Sequence, residues 1–252
     1  GVSVDANATY DDNFRLTEND EVIIHGVEAI PKLFLNANTE NSRWNIDTRL
    51  RSARYNESDY DTDDQFLSTG YSYQFERSSI GLDADIANDS TNTSEYASSG
   101  RIANKSERHE RYALSPSWNY ALTENNSLGV DGTYSKDNYE GNNYIGYDNW
   151  VANANWNYMF SERLSFLARI SYSEYTSEDR TADAPYYVYF GPPVNQYVQY
   201  GTAEQTSSTE QTSKSALLGF KYRWTEQQSL TALVGRSKQN TDYQLEDPQA
   251  IC

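Results

Sequence analysis

One short segment of the chain brings together residue types that catalyse hydrolysis in other proteins. Ser106, His109 and Glu110 lie close together in the sequence. A hydroxyl nucleophile needs a base within hydrogen-bonding distance and a third group that orients the base, and proximity in a sequence supplies neither. The other histidine, His25, is isolated, and Cys252 is the single cysteine. The sequence therefore predicts that the protein is not an enzyme and that it carries no cofactor.

The acidic segment DYDTDD raises the question of a calcium site. Asp59, Asp61 and Asp63 repeat the alternate spacing with which a calcium-binding loop begins. Such a loop continues with glycine at its sixth position and glutamate at its twelfth, whereas this chain has Asp64 and Gly70 there. We predict no specific metal site and treat the three carboxylates as a weak candidate in a solvated loop.

The composition gives two opposing indications. A mean hydropathy of −0.85 and a formal net charge of −17 are typical of a solvated or disordered chain. However, 14% of the residues are aromatic, including 22 tyrosines, and ordered β-structure favours such residues. The sequence has no run of about 18 apolar residues, so it predicts no transmembrane helix. The acidic balance also disfavours nucleic-acid binding, which needs clustered Lys and Arg.

An eleven-residue pattern recurs three times, as WNYALTENNSL from Trp118, WNYMFSERLSF from Trp156 and FKYRWTEQQSL from Phe220. Apolar and polar residues alternate on both sides of its central Ser/Thr-Glu pair. Successive side chains of a strand point to opposite faces, so the alternation predicts strands with one apolar and one polar face. The repeated pattern is then a hairpin with a short turn at its centre.

The predicted connections alternate between short and long. Short links such as 39–42 and 76–78 take turns with long links such as 88–110, 136–149 and 173–214. Short turns on one side and long loops on the other are typical of outer-membrane barrels. The sequence therefore predicts an all-β fold: an antiparallel up-and-down transmembrane β-barrel in the bacterial outer membrane, with about 11–12 strands in this chain.

A soluble antiparallel sandwich is the alternative, because it also produces alternation. Sandwich cores are rich in Val, Ile and Leu, whereas these apolar faces carry small residues in the middle and aromatic rings near one end. This distribution favours the barrel, with the rings as a girdle at the membrane interface. The predicted girdle residues are Trp118, Tyr120, Trp156, Tyr158, Phe160, Phe220, Tyr222 and Trp224.

The polar face of such a barrel lines its lumen, where charged side chains tune ion preference. Ion pairs between neighbouring strands are an equally good explanation of the same charges. The candidates for lumen selectivity are Arg43, Asp47, Arg49, Arg51, Arg111, Asp131, Arg169, Lys221 and Arg223.

Residues 174–214 are predicted to form a long extracellular loop. Within it, the tyrosine-rich segment APYYVYFGPPVNQYVQYG predicts a hairpin that turns at Gly191, Pro192 and Pro193. Its rings either stack on the sugars of a ligand or only rigidify the hairpin, and both interpretations stay open. The candidate binding residues are Tyr186, Tyr187, Tyr189, Tyr197 and Tyr200.

The opening of the chain, VSVDANATYDDNFRLTENDEVIIHGVEAIPKLFLNANTENSRWNIDTRL, combines several features. A short first strand leads to Asp11, Asp12 and Asn13, and a loop is followed by a strand that carries Pro31, a tight turn and a long third strand. This opening resembles the β-barrel porins of the porin 2 type, which accompany exopolysaccharide export and exosortase systems. The resemblance implies an outer-membrane conduit with polysaccharide or export-system proteins as partners, and it supplies no catalytic residues.

The predicted strand number is odd, whereas bacterial single-chain barrels usually have an even number. We therefore expect residues 1–252 to be one barrel domain that is incomplete at its C-terminal end. Such a barrel contacts outer-membrane lipid and lipopolysaccharide. Two functions fit it: a porin-like pore for exopolysaccharide or small solutes, and a structural or interaction barrel that serves as an anchor, adhesin or sheath through its long loops.

Overall fold

The structure is a computed structural model that describes most of the chain. The described residues are 1–12, 23–91, 93, 107–141, 144–190, 196–225 and 227–246, without the side chains of 180, 182–190, 196–205, 245 and 246.

Nearly all described residues lie in β-strands, with one short 3-10 helix at Ser58–Tyr60. The strands are β1 (Val2–Asp11), β2 (Ile24–Asn38), β3 (Ser42–Tyr55), β4 (Thr62–Gln74), β5 (Ser78–Ser90), β6 (Arg108–Thr123), β7 (Asn126–Tyr139), β8 (Tyr147–Met159), β9 (Leu164–Ser177), β10 (Arg180–Phe190), β11 (Gln196–Arg223) and β12 (Ser229–Glu246).

The strands form one antiparallel sheet in which chain neighbours pair with each other, except that β9 and β10 both pair with β11. β9 and β10 lie end to end along the same edge of β11, since Thr176 pairs with Glu210 and Arg180 pairs with Ser207. The sheet is therefore an up-and-down arrangement of eleven antiparallel strands, which confirms the predicted all-β, antiparallel up-and-down fold class. In the described part of the chain, no ladder joins β1 to β12.

The strands alternate in the way the sequence predicts. In β6 the residues Tyr112, Leu114 and Trp118 are exposed, while Ser115 and Ser117 between them are partly buried. The ladders keep this parity in register from strand to strand, because Trp118 pairs with Ile80 and with Val130. One side of the sheet, the apolar face, is consequently covered by hydrophobic side chains, and the other, the polar face, by hydrophilic ones.

The usual distribution of buried residues is inverted. On the apolar face, Trp118 is 41% exposed, Ile170 64% and Val234 75%. Buried apolar side chains are few in the described residues, namely Ile24, Ala53 and Tyr60. The buried polar residues are Thr62, Asp64, Asp89, Ser90, Thr91, Glu107, His109, Ser135 and Asp137.

Charged residues mark where the apolar stripe ends toward the long connections, which we call the loop end. In β6 the first charged residue of the apolar face is Glu110, which pairs with Asn138 of β7. In β7 the first charged residue of that face is Lys136, two positions nearer the short turns. Glu174 pairs with Thr212, but in β11 the first charge is Lys214. The boundary thus moves by two residues toward the short turns at several steps across the sheet. This stagger is expected when strands tilt, as they do in barrels.

The strands extend beyond the predicted limits at the loop end. β7 and β8 extend into the predicted link 136–149 from its two ends. The predicted link 173–214 contains β10 and much of β11. Backbone pairing requires no apolar side chain, so a ladder continues where the hydrophobic alternation stops. Among the described residues, no helix has the length and apolar character needed to cross a membrane.

Candidate functional site

The polar face holds a groove of about 670 Å³ that side chains from β2 to β6 line together. Arg49, Phe66, Asp85 and Arg111 come from four consecutive strands and all contact this groove. Because strands in sequence share one concavity, the sheet curves around its polar face. Charged groups from several strands converge in this groove, and it is our candidate site.

The charges of the groove are arranged in rows across the strands. Arg49 pairs with Lys32 and with Phe66, and the same row continues through Ala87 to Arg111. The next row toward the short turns contains Asp47, Ser68 and Asp85 in direct register. A cationic row therefore lies beside an acidic row, two residues or roughly 7 Å further along the strands.

Arg49 and Arg111 keep their hydrogen-bond donors available. The guanidinium of Arg49 lies over the Phe66 ring, 4.1 Å from its centroid, which fixes its plane and leaves its edges open. Among the described residues, neither arginine forms an ion pair. Lys32 differs, since its Nζ is 2.7 Å from the Asp5 carboxylate.

The ladders place all nine predicted lumen residues on the polar face, but not all of them face the groove freely. Arg51 Nε donates to Glu28 at 2.8 Å, and its Nη1 donates to Asp64 at 3.0 Å. Asp64 is 1% exposed. Arg51 therefore satisfies buried carboxylates and positions β3 against β4, which is a structural role.

Asp131 and Arg169, two further predicted lumen residues, are linked through the side-chain amides of asparagines. Asp131 accepts hydrogen bonds from Asn153 at 2.8 Å and from Asn155 at 3.1 Å, and Arg169 donates to the Asn155 amide oxygen at 2.7 Å. Arg43, Lys221 and Arg223 lie nearer the short turns.

A buried cluster that the sequence did not predict lies at the loop end of the polar face. His109 Nδ1 is 2.7 Å from Asp89 Oδ1, and its Nε2 is 2.8 Å from Asp137 Oδ1. The imidazole stacks on Tyr139 with 4.7 Å between the ring centroids. Burial lowers the pKa of His109, but the hydrogen bonds to Asp137 and Asp89 outweigh it and raise the pKa to about 9. His109 is therefore an imidazolium held between two carboxylates.

This cluster joins β5, β6 and β7 at their loop ends. His109 lies three positions beyond Tyr112, the last apolar residue of β6 in this direction. The turn between β6 and β7 sets their register and could have placed His109 near Asp137. Asp89 could not be assigned in this way, because the connection between β5 and β6 is long and leaves the register open.

The geometry separates two of the residues first considered for hydrolysis. His109 faces the polar side, whereas Glu110 faces the apolar side and accepts hydrogen bonds from Tyr112 at 3.3 Å and from Asn88 at 3.3 Å. Ser106 lies outside the described residues.

The acidic segment that raised the calcium question is engaged in other contacts. Both carboxylate oxygens of Asp63 accept hydrogen bonds from Arg54, at 2.8 and 2.7 Å. Asp61 accepts one from the Tyr55 backbone at 2.8 Å, and Asp59 lies in the 3-10 helix. No group of three metal-binding side chains occurs in the part of the chain that the structure describes.

The predicted girdle residues contact each other within strands and hairpins. Trp118 and Tyr120 stack with 5.8 Å between centroids, and Trp156 and Tyr158 do so at 6.1 Å. Tyr222 and Trp224 meet edge to face at 5.5 Å, and Phe160 contacts Phe166. These are local pairs, and the described rings form no continuous aromatic cluster.

The backbone of the tyrosine-rich segment forms an antiparallel ladder. Tyr186 pairs with Gly201 and Phe190 with Gln196, with a register shift between Tyr186 and Tyr187. The side chains of the five candidate tyrosines lie outside the described residues.

Comparisons with known proteins give weak likenesses. No family model matches the sequence, and no curated protein matches it. A Pseudomonas aeruginosa FadL homologue aligns over 96% of this chain and 86% of its own, with 10% identity and a TM-score of 0.29. The CymD monoaromatic hydrocarbon channel aligns over 97% and 84%, with 7% identity and a TM-score of 0.28. LpxR from Salmonella typhimurium aligns over 85% and 88%, with 8% identity and a TM-score of 0.27.

The predicted resemblance to the porin 2 type therefore has no support from a family model or a curated relative. With TM-scores below 0.3, the functional conclusions rest on the sheet itself.

Proposed function

We propose that the sheet is the wall of an outer-membrane β-barrel and that its polar face lines a pore. The observation that carries this proposal is the inverted distribution of side chains. A soluble sheet buries its apolar face, whereas here that face is exposed along the strands and the partly buried face is polar. Apolar surface on this scale marks contact with a membrane or a partner.

The dimensions of the apolar stripes agree with a bilayer. In β6 the stripe runs from Tyr112 to Tyr120, and in β8 it runs from Trp150 to Tyr158. A tilted strand needs about 9–11 residues to cross a bilayer. Rings such as Tyr112 and Trp150 occupy the loop end of the stripe and the predicted girdle residues occupy the turn end, where aromatic side chains favour the two interfaces. The cluster around His109 lies beyond the spanning segments.

We expect small solutes or a polymer to pass along the polar face. The free guanidinium groups of Arg49 and Arg111 and the carboxylates of Asp47 and Asp85 are the first charges that such a solute meets in the groove. Facing charges of both signs tune which ions pass. An exopolysaccharide is the substrate implied by the sequence resemblance, and the tyrosine-rich hairpin is its proposed contact.

Single-channel recording in planar bilayers tests the proposal. Large, stable conductance steps are expected from the inserted protein, and added exopolysaccharide should block them if the polymer is the solute. Replacing Arg49→Gln and Arg111→Gln together should shift the reversal potential in a KCl gradient toward cation selectivity, because the acidic row remains.

The matched control is the pair Arg54→Gln and Lys136→Gln, which removes the same charge from the other face of the sheet. Equal selectivity shifts in both pairs would show that the groove does not line the conduction path. Complete silence from protein that is demonstrably folded and inserted would contradict the pore.

One observation favours a second function, that of a structural or interaction barrel. Asp64, Asp89, His109 and Asp137 are buried on the polar face at the loop end, and such packing supports a barrel whose interior is narrowed by side chains there. An anchor or sheath needs no open path, and its loops would bind the partner. Silence in the recording would establish this alternative.

A further inference from the structure

Three cationic side chains lie together on the apolar face where the stripe ends in β11 and β12. Lys214 pairs directly with Lys238. Arg236 pairs with Ala216, and this pair is the next one on the same face toward the short turns. Like charges directly opposite each other destabilise an antiparallel pair. The arrangement is therefore unfavourable for the sheet unless an anion lies between the cations.

No carboxylate of the described residues compensates these charges. Within the parts of the chain that are described, none of the three cations forms an ion pair or a side-chain hydrogen bond. Lys214 Nζ lies 5.5 Å from the centre of the Tyr172 ring. The hydroxyl of that tyrosine donates to Glu174 at 2.5 Å, and in the described part of the chain this carboxylate forms no ion pair with Lys214.

In β7, by contrast, the cation at the boundary of the apolar stripe lies close to carboxylates. Lys136, at the loop end of β7, lies 3.6 Å from Asp148 and 3.8 Å from Glu178. The acidic residues of β11 and β12, Glu210 and Asp242, pair with each other four residues beyond the two lysines, which is roughly 13 Å along the strands. The three cations thus differ from Lys136, the boundary cation of β7, which has two carboxylates within 4 Å.

An apolar groove lies directly below the cations. Its volume is about 430 Å³, and Ile170, Tyr172 and Ala216 line it together with Lys214, Arg236 and Lys238. Ile170 is 64% exposed, and Leu218, the next residue of this face, is 62% exposed. A ligand that fits this surface has anionic groups at one end and hydrocarbon chains that follow the apolar stripe.

We infer that Lys214, Arg236 and Lys238 bind the phosphate groups of a lipid in the outer leaflet, and specifically of the bisphosphorylated glycolipid that anchors lipopolysaccharide. The inference rests on the proposed membrane position, because the long connections then face outward. Arginine binds phosphate in a bidentate manner, and lysine adds point charge. Three cations over two strands and two rows exceed what one phosphate needs, so a lipid with two phosphates fits better than a phospholipid.

Native mass spectrometry of the folded protein in detergent tests the inference, with bisphosphorylated lipid A and the same lipid without phosphates as probes. The triple variant Lys214→Gln, Arg236→Gln and Lys238→Gln should bind bisphosphorylated lipid A about tenfold more weakly, because charge-assisted hydrogen bonds are lost. Binding of the dephosphorylated lipid should not change. Equal affinity of the wild type for the two lipids would overturn the inference.

A charge-matched control is the triple variant Arg43→Gln, Lys221→Gln and Arg223→Gln, which changes the polar face at the turn end. A comparable loss in this control would mean that net charge alone attracts the lipid, and it would refute the site. Arg236→Lys should lose less binding than Arg236→Gln, because lysine keeps the charge without the bidentate geometry. Lys238→Gln alone gives a partial loss if the triple variant does not fold. Inorganic phosphate should compete weakly, and competition at the affinity of the lipid would refute the lipid.

Failure of the two proposals can be told apart. Protein that inserts into bilayers and conducts, but shows no preference for phosphorylated lipid, contradicts only the lipid site. Protein that does not insert into bilayers contradicts both.

Discussion

At the scale of single residues, His109 is held by contacts on both edges and on one face of its ring. Each of its ring nitrogens meets a buried carboxylate, and Tyr139 covers the ring. A buried carboxylate without a partner is strongly unfavourable, so the imidazolium is needed to keep Asp89 and Asp137 together on the polar face. Burial and Asp137 raise the pKa of the neighbouring Tyr147, so its neutral phenol adds no further negative charge to the cluster.

The position of His109 predicts a pH-dependent stability. Its pKa in the folded state is about 9, above the ordinary value of 6.5. The stabilisation is therefore complete below about pH 6.5 and is lost as the pH rises through 9. Urea unfolding, followed by the shift of the folded band on unheated gels, should show lower stability at pH 9.5 than at pH 6.

The variant His109→Gln should lose roughly 3 kcal/mol at pH 6, because Asp89 and Asp137 then remain buried without their shared cation. It should also lose most of the pH dependence between pH 6.5 and 9.5. The control is His25→Gln, whose side chain is exposed on β2. The assignment is wrong if His109→Gln keeps the pH dependence of the wild type.

At the scale of elements, the pairing of β11 with β12 is the longest ladder of the sheet, from Arg223 and Ser229 to Thr206 and Glu246. Two glycines on the polar face make the close approach possible. A Cβ atom at Gly219 would collide with the carbonyl oxygen of Ala232, and one at Gly235 would collide with that of Ala216. Neither obstacle is a flexible side chain, so the backbone itself would have to move.

Gly235→Ala should therefore destabilise this ladder by about 1–3 kcal/mol, which is typical of overpacking. Gly132→Ala is the matched control in β7, where the new Cβ would lie 3.2 Å from the Val151 carbonyl oxygen and needs only a small adjustment. Urea unfolding of the two variants in the same detergent measures the difference. Equal stabilities of Gly235→Ala and Gly132→Ala would contradict the close approach of the β11 and β12 backbones at Gly235.

At the scale of the whole molecule, the sheet separates two environments. Neighbouring residues of one strand face different surroundings, as Leu217 and Leu218 of β11 do. Leu217 is partly buried on the polar face, while Leu218 is 62% exposed on the apolar face. In a membrane the second residue meets lipid and the first meets water.

This separation predicts opposite labelling of two adjacent positions. With Cys252→Ser as background, Leu217→Cys should react with a charged maleimide in proteoliposomes, because water reaches it through the lumen. Leu218→Cys should react slowly in the bilayer and rapidly in urea, since lipid excludes the reagent. Rapid labelling of Leu218→Cys in folded protein would indicate a sheet that is not embedded in lipid.

The local sequence determined the strands and the faces of the described sheet. The alternation around Trp118, Trp156 and Phe220 specifies which side of each strand is apolar, since the period of two is a property of the extended backbone. It also specifies the polar side of Arg49 and Arg111. The short turns fix the register of several neighbouring strands, as between β6 and β7.

Only the tertiary structure decided which residues meet across long connections. His109 meets Asp89, and Lys214, Arg236 and Lys238 share one surface, because strand registers and tilt bring them together. The pattern of alternation repeats every two residues and carries no information about such registers. The sequence therefore predicted the two faces of the described sheet, while the chemistry of its loop end depends on how the strands are staggered.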